Sequence, residues 1–253
     1  MIFDKYKSLS IITWALVAGY YLPRPAVAQT AVAAPDQLEE IIVTAQKREE
    51  RLQNVPVSVT ALSATTLANL NIESGTELAR VTPNLRASTL GDESQPKFSM
   101  RGLSMSTFNL NDTSPTGVFY DEVYVGTQFL GGAQMFDMDR VEVLRGPQGT
   151  LFGKNTTAGA INFISKAPTF QNEGYVTVGY GSHNYEEIKG AVEVPVVTDR
   201  LTVRLAVNAA HSDGYVTNVT PGTSDLSNID RKSARLTVGY KDDNGLQATL
   251  RLF

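Results

Sequence analysis

The chain has 253 residues, a net charge of −4 and a pI near 5.3, with no cysteine and two histidines, His183 and His211. An acidic balance without a basic footprint argues against nucleic acid as a partner. Without thiols or paired imidazoles, no disulfide, metal centre or protein-held cofactor is expected.

Lys5 and Lys7 precede an apolar run over residues 9–22, and Ala26-Val27-Ala28 follows with the small-x-small form of a cleavage site. The run is about 14 residues, short of the ~20 a spanning helix needs, and Pro23 and Pro25 break it. Residues 1–28 therefore read as a secretory signal, with an N-terminal anchor as the alternative. No later run approaches spanning length, so any membrane insertion must use strands.

Residues 29–51 pass from an alanine-rich linker into Glu39-Glu40-Ile41-Ile42-Val43-Thr44-Ala45 and then a charged stretch. Three consecutive β-branched residues between polar flanks predict an extended segment with no partner of its own. Such a segment can be captured by strand addition to another protein's sheet edge. The alternative is the first strand of the domain that follows.

Residues 52–171 have globular character. Val55, Val57 and Val59 alternate as a strand, with Pro56 suited to an edge. Ser63 caps a short helix over residues 63–67, and residues 76–80 form a second that ends before Pro83. Further landmarks are Val81-Thr82-Pro83-Asn84-Leu85, Phe98-Ser99-Met100-Arg101-Gly102-Leu103 and the run from Gly117 to Tyr124.

The stretch from Asp137 to Pro168 is the most informative. Val141, Val143 and Leu144 suit a strand; Arg145-Gly146-Pro147-Gln148-Gly149 turns; Ala160-Ile161-Asn162-Phe163-Ile164 suits a second strand. Gly153-Lys154 invites comparison with a phosphate-binding loop, which needs GxxxxGK[ST]. Gln148 stands where the first glycine belongs and Asn155 where the Mg²⁺-binding hydroxyl belongs. A P-loop enzyme is thereby disfavoured.

The run Val-Glu-Val-Leu-Arg-Gly-Pro, then Leu-Phe-Gly, then Ala-Ile-Asn resembles the end of the plug domain of TonB-dependent outer-membrane receptors. The earlier landmarks resemble the same plug. The resemblance implies an α+β plug, a small mixed sheet of four strands with short helices, ahead of a transmembrane β-barrel. It makes Glu40, Ile41, Ile42, Val43, Thr44 and Ala45 a TonB box, bound by the inner-membrane protein TonB with its energising complex. Arg101, Arg140 and Arg145 fit the family pattern, which implies lumen-facing ion pairs with barrel carboxylates. Read as residues alone they are equally ordinary surface arginines.

From Glu173 onward, strand candidates follow one another with period-2 alternation. Val176, Val178 and Tyr180 share a face; Ile188, Val192, Val194 and Val196 oppose Glu187, Lys189 and Glu193; Leu201, Val203, Leu205 and Val207 oppose Thr202, Arg204 and Asn208. Ala234, Leu236, Val238 and Tyr240 oppose Ser233, Arg235 and Thr237, and Leu246, Ala248, Leu250 and Leu252 oppose Gln247, Thr249 and Arg251. An apolar and a polar face on each strand suits a barrel with lipid outside and water inside, and a soluble sandwich shows the same period. Connections are short at residues 181–184, 198–200 and 242–245 and long at 212–230, the asymmetry of outer-membrane barrels. Five strands fall short of the about 22 of a plugged transporter, so an N-terminal portion of a barrel is expected. Phe253 falls on the polar face with Arg251, unlike a terminal barrel aromatic.

The expected organisation is a signal (1–28), a segment bearing the box at 39–45 (29–51), a plug (52–171) and the first strands of an incomplete barrel (172–253). The expected function is active uptake of an extracellular small molecule across the outer membrane of a Gram-negative cell, with ferric siderophores the leading class. The barrel's outer face meets outer-membrane lipid. No bond chemistry is involved, so no catalytic residue is assigned. The alternative is a secreted, soluble β-rich binding protein.

Overall fold

The computed structural model describes residues 41–89, 96–105, 112–126, 135–219 and 226–253; the expected signal and Glu40 lie outside them. The first half forms β1 (Ile42–Val43), β2 (Glu50–Arg51), β3 (Ser58–Ser63), β4 (Leu85–Thr89), β5 (Pro96–Met100), β6 (Thr116–Tyr120), β7 (Val123–Tyr124), β8 (Met138–Arg145) and β9 (Gly159–Ser165). The second forms β10 (Glu173–Gly181), β11 (Tyr185–Val197), β12 (Leu201–Ser212), β13 (Ile229–Lys241) and β14 (Gln247–Leu252). Both halves belong to one compact unit, Glu40–Phe253.

The plug is a mixed sheet in the order β3-β8-β9-β6-β7, with β6 and β9 parallel and the other neighbours antiparallel. It has five strands rather than the four expected. The extra one, β7, is two residues long and follows a tight turn at Asp121 and Glu122, both at positive φ (47° and 69°). Period-2 alternation explains the packing. Val141 and Val143 of β8, with Ile161 and Phe163 of β9, face Leu67, Leu78, Leu85, Phe98 and Met100. Leu144 and Ala160 face the opposite way, with Phe119, Phe152, Val43 and Ala45. Both faces are covered, which is why β9 reads as a nearly continuous apolar run, whereas β8 carries the buried Glu142 on the face it shares with Leu144.

Local signals act as the sequence suggests, with one shift. Ser63 Oγ accepts from Thr66 N (3.3 Å) at the start of the helix Ala64–Asn69. Glu77 accepts from the Ser74 N–H (3.2 Å) at the start of the 3-10 helix Gly75–Arg80. The strand expected from Val55 begins only at Ser58. Leu52–Asn54 is a 3-10 turn, and Pro56 has no N–H to give a ladder. At Gly159 an added Cβ would lie 2.3 Å from the Leu144 carbonyl oxygen, so β8 and β9 approach there as only glycine permits.

The strands β10 to β14 pair antiparallel in sequence order as an open sheet, with one irregularity between Pro195 and Val197. Val176, Val178, Ile188, Val192, Leu205 and Leu250 point away from the plug and are exposed. Glu193, Thr202, Arg204, Arg235 and Thr237 point toward it and are buried. Phe253 turns inward, its ring 5.8 Å from the Arg235 guanidinium. The linker from β9 crosses this wall at Gly239, where Pro168 Cβ lies 2.8 Å from the place a side chain would occupy.

Candidate functional site

Residues 41–45 are not the partnerless segment expected. β1 pairs with β2 as a small antiparallel hairpin, Ile42 opposite Arg51 and Val43 opposite Glu50, and Leu52 N donates to Ile41 O at 2.9 Å. The charged stretch after Ala45 can double back because Lys47 adopts φ 61° and its N–H closes a turn on Thr44 O (2.8 Å). Val43 and Ala45 then drop onto the sheet face beside Phe119, Leu144 and Phe152, while Ile42 remains exposed. Alternation therefore decides which half of the segment is hidden.

A single buried carboxylate holds this segment in place. Glu142 Oε1 accepts from Thr44 N (2.7 Å), Thr44 Oγ1 (3.2 Å) and Arg140 Nε (2.8 Å). Arg140 also donates to Asp139 Oδ2 at 2.5 Å. Burial, the largest influence on Arg140, opposes its charge, but the Glu142 and Asp139 carboxylates outweigh it and leave the guanidinium more basic than usual. Lys47 Nζ completes the clamp, 3.2 Å from Glu122 Oε2 and 4.7 Å from the Phe152 ring centroid.

The second part of the site is the seam between plug and strands. Asp137, just before β8, accepts a bidentate pair from Arg204 of β12: Nε to Oδ2 at 2.9 Å and Nη2 to Oδ1 at 2.5 Å. Both side chains are buried. Arg204 Nη1 reaches Glu173 (2.7 Å) and Glu193 (3.3 Å). Arg235 of β13 donates to the carbonyls of Phe136 (3.0 Å) and Asp137 (2.7 Å). Glu193 Oε1 accepts the linker amides of Thr169 and Phe170, both at 2.8 Å. Three further ion pairs join the halves: Glu73 to Lys189 (2.8 Å), Asp121 to Arg251 (3.4 Å) and Lys166 to Glu173 (2.9 Å). Burial, the largest influence on Glu73, works against its charge, yet Lys189 and the Tyr185 hydroxyl hold its carboxyl below the usual range.

Among the described residues most pairs across the seam set plug carboxylates against barrel cations, while Lys166 on Glu173 (2.9 Å) has the sign the sequence suggested, through a residue it did not single out. Of the three arginines singled out, Arg140 meets Asp139 and Glu142 inside the plug. Arg101 is exposed at φ 52° with its guanidinium against Gly146, and Arg145 is half-buried with an Nε that has no partner among the described residues. Neither is shown in an ion pair among those residues. Gly149–Phe152 is a helix of four residues, and the Asn155 amide donates to Tyr124 (2.8 Å) rather than lining a phosphate cradle.

Residues 51–160 match the profile of the TonB-dependent Receptor Plug Domain. The chain belongs to the TonB-dependent receptor family. It is 30% identical over 211 residues to a pesticin receptor of Yersinia enterocolitica, covering 83% of this chain and 30% of that protein. It is 24% identical over 204 residues to the vitamin B12 transporter BtuB of Vibrio cholerae, covering 80% of this chain and 33% of that protein. Among solved structures it resembles the ferric yersiniabactin uptake receptor FyuA from Yersinia pestis, with a TM-score of 0.68, 26% identity and coverage of 74% of this chain and 29% of that one. The pyoverdine receptor FpvA of Pseudomonas aeruginosa shares the fold, with a TM-score of 0.66 at 19% identity and coverage of 83% and 29%. This TonB-dependent receptor chain spans about three-tenths of the length of the curated relatives it matches.

Proposed function

We propose that the chain is the N-terminal part of an outer-membrane importer whose plug is worked through residues 39–45 by TonB. The observation that carries this reading is the docking of Ile41 to Ala45 on the plug face through Glu142. A short segment held by a two-residue pairing with β2, the Glu142 carboxylate, the Lys47–Glu122 pair and a few apolar contacts is a handle that can be lifted without first dismantling the sheet beneath it. Strand addition then supplies the coupling, since backbone groups give affinity to any free sheet edge. Residues 1–28 act as export signal, 29–51 carry the handle, 52–171 form the plug and 172–253 begin the barrel, in the outer membrane of a Gram-negative cell. The exposed apolar rows of β10 to β14 support a lipid-facing wall.

The cargo is a scarce extracellular nutrient. Relatives described as receptors for ferric yersiniabactin and pyoverdine favour a ferric siderophore, ahead of vitamin B12. The test is a peptide of residues 37–51 titrated against the TonB C-terminal domain, with a Val43→Pro version alongside. Proline removes a donor and clashes with pairing, so it should bind far more weakly. Equal binding by both peptides would refute strand addition.

A further inference from the structure

The loop between β6 and β7 is two residues long, Asp121 and Glu122, because Tyr120 pairs with Val123 and Phe119 with Tyr124. Both loop residues lie at positive φ, 47° and 69°. A loop of this kind follows the twist of a hairpin, and Asn-Gly or Asp-Gly normally supplies it. Glutamate at the second place adds strain that glycine would avoid. Such strain persists only where the surroundings outweigh it.

The two residues are held from different sides. Asp121 accepts from Ser165 N at Oδ1 (2.8 Å) and from Ser165 Oγ at Oδ2 (2.9 Å), and Arg251 Nε of β14 lies 3.4 Å from Oδ2. The Arg251 contact is one of charge, since its Nε has no hydrogen-bond partner among the described residues. Glu122 Oε2 meets Lys47 Nζ at 3.2 Å. Lys47 also stands 4.7 Å from the Phe152 ring centroid and 5.9 Å from that of Phe119, which belongs to β6 itself. Glu122 N donates to Asn162 Oδ1 (3.4 Å), and Asn162 is the register partner of Glu142, whose carboxylate holds Thr44. One loop residue thus grips the wall and the next grips the coupling hairpin.

From this we infer that Asp121-Glu122 is a joint through which the wall strand β14, by way of Arg251, sets how firmly the hairpin of residues 41–52 is docked. The strained turn makes both sets of contacts at once, and a turn relaxed to ordinary φ makes neither. Losing one tie leaves the other to hold the strain alone, so both ends loosen together. A two-state element biased from two sides is what coupling between distant groups requires. Asp121 and Glu122 are positioning residues, acting on the hairpin through Lys47 and on the wall through Arg251. The inference deepens the importer reading, because it gives the proposed handle a control by the wall.

The test is amide hydrogen exchange of the full-length receptor without TonB. The amides of Thr44 and Lys47, which donate to Glu142 and to Thr44 O, report the hairpin; those of residues 160–162 in β9 report the sheet beneath. Arg251→Gln should speed exchange at Thr44 and Lys47 roughly threefold, the scale of a partly exposed ion pair, with residues 160–162 unchanged. Arg251→Lys should stay near the parent rate. Coupling is reciprocal, so Lys47→Gln should speed exchange of the Ser165 amide by a similar factor. That arm leaves the wall untouched and decides the matter if Arg251→Gln hinders barrel assembly.

Glu122→Gly both relieves the strain and cuts the joint. The hairpin should loosen while residues 160–162 stay at least as well protected, and adding Arg251→Gln should bring no further change at Thr44. A turn serving structure alone would move hairpin and sheet together, and that result overturns the inference. Unchanged exchange in either the Arg251→Gln or the Lys47→Gln arm overturns it too, as does an Arg251→Gln effect that persists in full in the Glu122→Gly background. None of these readings involves TonB, so they stand or fall apart from the peptide titration that tests the importer reading.

Discussion

Asp137→Asn tests whether the buried seam holds the plug in place. Asparagine keeps the size of aspartate and tolerates the positive φ of 51° at this position, so the change removes charge with little change of shape. Removing one partner of a buried pair costs about 3–5 kcal/mol. Arg204 would keep Glu173 at 2.7 Å and Glu193 at 3.3 Å, and Arg235 would keep its two backbone carbonyls. The cost should therefore sit near the lower end, about 3 kcal/mol, or roughly a hundredfold in an opening equilibrium. Amide hydrogen exchange of the full-length receptor reads this through protection of Thr169 and Phe170, whose N–H groups donate across the seam to Glu193. Asp139→Asn is the control: Asp139 is half exposed and pairs with Arg140 at the surface, so little change is expected there. Exchange in Asp137→Asn within twofold of the parent would refute the reasoning, because it would mean that Arg204 is equally well satisfied without the plug.

Gly159→Ala should unfold or grossly loosen the plug, since its Cβ would sit 2.2 Å from Met100 Sδ and 2.3 Å from the Leu144 carbonyl; thermal melting of the receptor checks this. Glu142→Gln retains an acceptor for Thr44 N but loses the charge that Arg140 satisfies, so amides of residues 43–45 should exchange about tenfold faster while β9 is unchanged. The Glu73 tie should be sensitive to acid. Its folded-state pKa lies below the unfolded value, so its contribution is present above about pH 4.3 and is lost as pH falls through the depressed folded value. Glu73→Gln should flatten that part of the pH profile of plug protection, and an unchanged profile would assign the acid sensitivity elsewhere.

What the sequence reveals follows from how local each cause is. The strands β8 and β9 are legible because Val141, Val143, Ile161 and Phe163 carry the packing on one face. The barrel strands are legible because lipid and plug impose opposite chemistry on alternate residues, as Leu205 and Arg204 show. The hairpin of residues 41–52 is not legible, because β2 consists of the charged pair Glu50 and Arg51 and carries no strand propensity of its own. The sign of the seam is hidden for a different reason. Asp137 and Arg204 are 67 residues apart, and only the register of β12 brings them together. An inward charge at alternate positions in β12 and β13 was the available signal. Its partner could be any acid in the plug, so the sequence leaves the pairing open.

If TonB works the plug by strand addition, residues 41–45 must leave the plug before TonB can hold them. Ile42 and Arg51 face each other as a non-hydrogen-bonded pair, the geometry in which Cα atoms lie about 4.5 Å apart and a disulfide fits. Ile42→Cys with Arg51→Cys in the full-length receptor would lock the hairpin when oxidised and free it when reduced. The measurement is capture of the purified TonB C-terminal domain by this receptor in the two states. Capture should be absent while the disulfide is intact and appear on reduction. Equal capture in both states would contradict the account, since it would show that TonB engages the chain without lifting this segment.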